Sequence, residues 1–123
     1  MKRVFGQLYV KNSVEAVETY IEAFGATLGY HVKHDDGSYY HSELELGDFV
    51  VAVAEQTEKE DVATGNTMQL CMHYGEGNEK ALFHAYEVLK EGASISIALG
   101  ESDFSPYMAD LVDKFGVRWC LFL

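Results

Sequence analysis

The chain has 123 residues, 48% hydrophobic and 24% charged, with 9 Lys+Arg against 20 Asp+Glu for a formal net charge of -11. This fits one globular domain large enough to bury a core. The acidic balance argues against nucleic acid and against anionic membrane surfaces, both of which are held through clustered Lys and Arg. It suits a cationic or neutral small-molecule ligand. No stretch approaches the roughly 20 apolar residues of a membrane span, and residues 1–6 carry no apolar run of signal-peptide length. Cys71 and Cys120 stand in no metal-type spacing. A cytoplasmic protein with both cysteines as free thiols is expected.

Residues 3–10, RVFGQLYV, predict a strand. Asn12 follows as an expected N-cap, with Glu15 placed to complete a capping box. Val14, Val17, Ile21 and Phe24 recur at helical spacing, so residues 13–24 predict an amphipathic helix closed by Gly25. Residues 27–34 predict a second strand, and Asp36-Gly37 is a hairpin signal. Residues 39–46, YYHSELEL, alternate, with Ser42, Leu44 and Leu46 on one face and His41, Glu43 and Glu45 on the other. Gly47-Asp48 marks a turn, and 49–55, FVVAVAE, a more apolar strand.

Residues 56–66 are charged and lack periodicity, which predicts a linker. Then the pattern restarts. Residues 67–74 alternate as a strand, and Leu82, Ala85, Tyr86 and Leu89 are spaced for a helix closed by Gly92. Residues 94–99, 107–112 and 117–123 predict three more strands. The order is an internal repeat of architecture. The expectation is a single α+β domain, 1–123, of two βαβββ modules (1–55 and 67–123) forming cupped mixed sheets with one helix packed on each.

Three stretches carry a family resemblance. Residues 9–20, YVKNSVEAVETY, run on to Phe24-Gly25-Ala26. His41-Ser42-Glu43-Leu44-Glu45-Leu46-Gly47 forms the second stretch. Asp113-Lys114-Phe115-Gly116-Val117-Arg118-Trp119 forms the third. In order and spacing they resemble the glyoxalase/bleomycin-resistance/dioxygenase (vicinal oxygen chelate) superfamily. Within it they resemble the PhnB-like, or 3-demethylubiquinone-9 methyltransferase-like, branch. The resemblance implies a homodimer and a divalent metal held by the first and fourth strands of each half. Carried over, those positions are Phe5, Ala52, Thr67 and Cys120. Phe and Ala bind no metal, Thr is a poor ligand, and a lone Cys does not suit a hard cation. The expectation is therefore no metal and no cofactor, as in family members that sequester drugs without one.

Alternation assigns the cup lining. Val4, Leu8 and Val10 are expected on the helix side of the first strand, leaving Phe5, Gln7 and Tyr9 for the cup. Met68, Leu70 and Met72 are likewise expected behind, leaving Thr67, Gln69, Cys71 and His73, and on the last strand Arg118, Cys120 and Phe122. His41 and Glu43, at i and i+2 and roughly 7 Å apart along the backbone, are the candidate general acid/base pair. Gln7, Tyr9, His41, Glu43, Gln69, His73 and Arg118 are the candidate ligand-binding residues. Arg118 is expected to hold an anionic group or to neutralise Glu43 or Glu45. A His41/Glu43/His73 metal site and a Cys71–His73 nucleophile are weighed by residue type alone. Two functions stay open: metal-free binding of a small, possibly cationic, molecule, and a lyase-, isomerase- or dioxygenase-type enzyme using His41/Glu43 or an atypical metal site.

Overall fold

The computed structural model describes residues 1–59, 63 and 65–123. The predicted linker lies partly outside the described residues. The chain divides into two compact units, Met1–Val62 and Ala63–Leu123.

The first unit runs β1 (Gly6–Val10), α1 (Ser13–Phe24), β2 (Thr27–Lys33), β3 (Tyr39–Leu46) and β4 (Phe49–Glu55). Its sheet has the order β1-β4-β3-β2. β1 pairs parallel to β4, and the other two pairings are antiparallel. Because β1 and β2 lie on opposite edges, α1 must cross the sheet between them. It packs on β1, β3 and β4.

The second unit repeats this plan with β5 (Leu70–His73), α2 (Glu79–Leu89), β6 (Ser94–Gly100), β7 (Met108–Val112) and β8 (Arg118–Phe122). The order is β5-β8-β7-β6, again with one parallel pair, β5 with β8. The α+β class and the two βαβββ modules are as expected. Among the described residues no helix is long and apolar enough to cross a membrane.

α1 starts and ends where expected, and α2 carries Leu82, Ala85, Tyr86 and Leu89 on its buried face but is capped by Lys90 rather than closed at Gly92, while α1 differs in its face and its cap. The residues it buries are Ser13, Ala16, Val17, Tyr20 and Ala23, while Val14 is exposed. Small alanines let the helix approach the sheet closely, so Ala16 and Ala23 join Val17 and Tyr20 in its buried stripe while Val14 is left out. Nor does Asn12 cap it. Asn12 sits in the left-handed region, φ 61°, with no side-chain cap bond. Instead the Glu55 carboxylate, at the end of β4, accepts the backbone N–H of Asn12 at 3.1 Å and of Ser13 at 2.9 Å. Negative charge at this end also complements the helix dipole. Buried Ser13 accepts the Tyr39 N–H through Oγ at 2.9 Å, pinning the start of α1 to β3.

Four strands start later than predicted, β8 by one residue, at Arg118. β1 begins at Gly6, where pairing with β4 begins, and Val4 is exposed rather than against the helix. β5 begins at Leu70, so Thr67 lies outside it and Met68 is exposed rather than packed. β7 begins at Met108.

Candidate functional site

α1 covers one face of the module-one sheet, so the chemistry sits on the other. Residues level with one another on neighbouring strands share a face. Two rows follow from the registers. Tyr9 on β1 lies level with Ala54 on β4, and His41 on β3 lies level with Val32 on β2. Gln7 lies level with Ala52, which is level with Glu43.

On this face the side chains form one continuous hydrogen-bonded chain. Arg3 donates from Nη2 to Glu43 Oε1 at 2.8 Å. His41 Nε2 lies 2.8 Å from Glu43 Oε2, and His41 Nδ1 lies 2.9 Å from Gln7 Oε1. Gln7 Nε2 then donates to Tyr9 Oη at 2.8 Å. The ring of Phe5 lies edge-on to His41 at 6.4 Å, and that of Tyr30 lies tilted to it at 6.0 Å. The Arg3 guanidinium stands 4.6 Å over the Phe5 ring.

The bonding roles follow from the donors available. Gln7 spends its amide nitrogen on Tyr9, so it offers His41 an acceptor oxygen. Glu43 offers a carboxylate, kept below its ordinary value of 4.5 first by the hydrogen bond from His41 and then by that from Arg3. In this arrangement His41 Nδ1 faces an acceptor, and the Tyr9 hydroxyl, accepting from Gln7, keeps its own proton for an outside partner. Turning the Gln7 amide over reverses the sequence: Nδ1 then accepts, and Tyr9 donates inward. In either state both His41 ring nitrogens face a protein partner.

The seven sequence candidates thus separate by module. Gln7, Tyr9, His41 and Glu43 join in one network, with Arg3 as the member sequence reasoning missed. In module two, Gln69 and Arg118 converge on a residue also missed, Asp110 of β7. Gln69 Nε2 donates to Asp110 Oδ2 at 2.9 Å, and Arg118 Nη2 donates to the same oxygen at 3.1 Å. Arg118 therefore serves a carboxylate of its own module rather than Glu43 or Glu45. Burial alone would push the Asp110 carboxyl up, but the hydrogen bonds from Arg118 and Gln69 outweigh it and hold it below the ordinary value. The exposed ring of His73 stacks on Phe122 at 4.7 Å.

Asp110 is the counterpart of Glu43. Glu43 lies level with Ala52, and Asp110 lies level with Cys120. Each is buried on the third strand of its module and held by one arginine and one further side chain. A signal was present, since an acid at an inward position of the apolar strand MADLV needs partners.

The same registers test the family's metal positions. Gln7 is level with Ala52 and Cys71 with Cys120, so Phe5 corresponds to Gln69 rather than to Thr67. Phe5 and Ala52 carry no donor atom. Gln69 is engaged by Asp110, and burial first, then Cys71, pushes the Cys120 thiol up and keeps it protonated. These residues do not fit a divalent metal. Among the described residues no group of three or more His, Cys, Asp or Glu is arranged to hold one.

No family model matches the sequence. No curated protein matches it either. Solved structures do match in fold. A protein from Pseudomonas aeruginosa superposes with a TM-score of 0.83 at 18% identity, covering 99% of this chain and 97% of that one. A putative 3-demethylubiquinone-9 3-methyltransferase, PhnB protein, from Bacillus cereus gives 0.83 at 20% identity, covering 100% and 99%. The fosfomycin resistance protein FosX from Listeria monocytogenes gives 0.72 at 9% identity, covering 99% and 93%.

Proposed function

The chain has the fold of the glyoxalase/bleomycin-resistance/dioxygenase superfamily, which PhnB-like and FosX proteins share, and on that fold we propose that it binds a small planar molecule, without a metal, on the open face of the module-one sheet. The observation that carries this reading is the unbroken chain from Arg3 through Glu43, His41 and Gln7 to Tyr9. A mere surface salt bridge needs two side chains. Five residues from β1, β3 and the N-terminal segment, each orienting the next, preorganise a donor for something outside. Tyr9 and Tyr30 stand 56% and 66% exposed on either edge strand, offering ring faces to a planar partner.

The ligand is neutral or anionic under this proposal. The acidic balance of the chain suits a cation, but on this face Arg3 already meets the charge of Glu43, and His41 takes its second oxygen. The geometry also favours binding over general-base catalysis, because a base needs an accessible lone pair and both His41 ring nitrogens are engaged by protein partners until a contact breaks.

Calorimetric titration with neutral, anionic and cationic aromatic compounds tests this, using wild type, Gln7→Ala and Tyr9→Phe. A neutral or anionic compound should bind below the millimolar range. Each variant should weaken it about fivefold, as expected for one hydrogen bond of about 1 kcal/mol. No binding in any class, or binding indifferent to both variants, would sink the proposal.

A homodimer belongs to the same reading. The edge strand β6 exposes Ile95 and Ile97 in an uncharged SISIA run, a segment that a second copy would cover. Light scattering after gel filtration tests it, and a monomer at all concentrations would refute it. A cytoplasmic location completes the proposal.

A further inference from the structure

Cys71 and Cys120 are the residues of module two that the site above leaves unused. Both are free thiols, Cys71 exposed and Cys120 buried. They are level partners on the parallel strands β5 and β8, so their side chains leave the same face of the sheet. Neighbouring strands run about 4.8 Å apart, inside the span of Cα separations that a disulfide bridges, about 4.4–6.8 Å.

We propose that Cys71 and Cys120 form a reversible intramolecular disulfide in response to peroxide. The sulfur of the exposed Cys71 attacks hydrogen peroxide. An S–O bond forms, the O–O bond breaks, and the departing oxygen takes the proton given up by the Cys71 thiol and leaves as water. Cys120 Sγ then attacks the sulfenic sulfur of Cys71. The S–S bond forms, hydroxide departs, and it takes the Cys120 proton to leave as a second water. Two thiols and one hydrogen peroxide give one disulfide and two waters, with sulfur oxidised and peroxide oxygen reduced.

Strain makes the bond reversible rather than a permanent staple. Bridged Cβ atoms sit about 3.8 Å apart, whereas level residues on neighbouring strands start nearer the strand spacing. Closure must draw β5 towards β8. As a four-residue edge strand, β5 can yield, and the residual strain raises the reduction potential. Burial of Cys120 keeps peroxide from reaching it first, so the exposed thiol reacts and the buried one resolves.

The test uses the full-length reduced protein, with thiol counting and peptide mass mapping under non-reducing conditions. One equivalent of hydrogen peroxide should remove both thiols together, link the Cys71 peptide to the Cys120 peptide within a monomer, and be undone by dithiothreitol. Cys71 accumulating as sulfinic acid while Cys120 remains a countable thiol would overturn the proposal, as would a bridge found only between chains. In Cys120→Ser, checked for folding by circular dichroism, Cys71 should over-oxidise faster than in wild type. An equal rate would overturn it too.

Discussion

His41 Nδ1 lies 2.9 Å from Gln7 Oε1 although β4 runs between their strands. Two strand spacings, about 10 Å, separate the backbones, and the side chains meet above Ala52 and Ala54, both buried. Any longer side chain at those two positions would fill the space the bridge occupies. Ala54→Leu is therefore expected to part Gln7 from His41 and to destabilise the fold by about 1–3 kcal/mol through overpacking. Urea unfolding measures the second effect, and the His41 ring resonances in NMR report the first. Unchanged resonances would mean that the bridge does not pass over Ala54.

Glu43 and Asp110 both have carboxyl groups held below their ordinary values of 4.5 and 3.8. Such groups bind fewer protons folded than unfolded. Their stabilisation is thus fully present above the unfolded values and is lost as pH falls through the lower folded ones. Stability measured by urea unfolding should fall between pH 5 and pH 3 (about the ordinary carboxylate range). The fall should be shallower in Glu43→Gln and shallower still with Asp110→Asn added. Parallel curves for all three proteins would contradict the pairing.

Removing the Asp110 carboxylate leaves Gln69 and the half-exposed Arg118 without their shared partner. Asp110→Ala should lower stability by about 1–3 kcal/mol, whereas Asp110→Asn, which keeps one hydrogen bond, should lose less. Thermal unfolding of the two variants side by side decides this, and equal losses would assign the cost to packing rather than to the polar contacts.

The start of α1 gives a contrast between near and distant residues. Glu55→Ala should cost about 1 kcal/mol by freeing the Asn12 and Ser13 N–H groups. Asn12→Gly should stay within about 0.5 kcal/mol of wild type, since the side chain makes no cap bond and glycine accepts φ 61° readily. A larger loss at Asn12 than at Glu55 would return the cap to Asn12.

That contrast also explains which features were legible in the sequence. The bounds of α1 and β4 could be read because local signals mark them: Gly25 after the helix, Gly47-Asp48 before the strand. His41 and Glu43 could be paired because i and i+2 on a strand share a face. The Glu55 cap could not, because its partners lie 42 and 43 residues away and meet only once β4 has docked. Arg3 was hidden for the same reason, reaching Glu43 across 40 residues. Burial in α1 was misjudged because hydrophobicity ranks Val14 above Ala16, whereas close approach to a sheet favours the smaller side chain. In module two, the strand pattern was traced from Thr67, three residues before pairing begins.

The parallel joining of Gly6 to Val51 has a consequence for the order of folding. β2, β3 and β4 are successive antiparallel neighbours and close through short turns, so their contacts are local and form early. β1 has to wait for β4, because loop closure over that separation comes before any contact rewards it. The strand added last carries Gln7 and Tyr9, and the segment before it carries Arg3. A nascent module would therefore hold His41 and Glu43 in place with their partners still absent, and its binding face would mature in the final folding step.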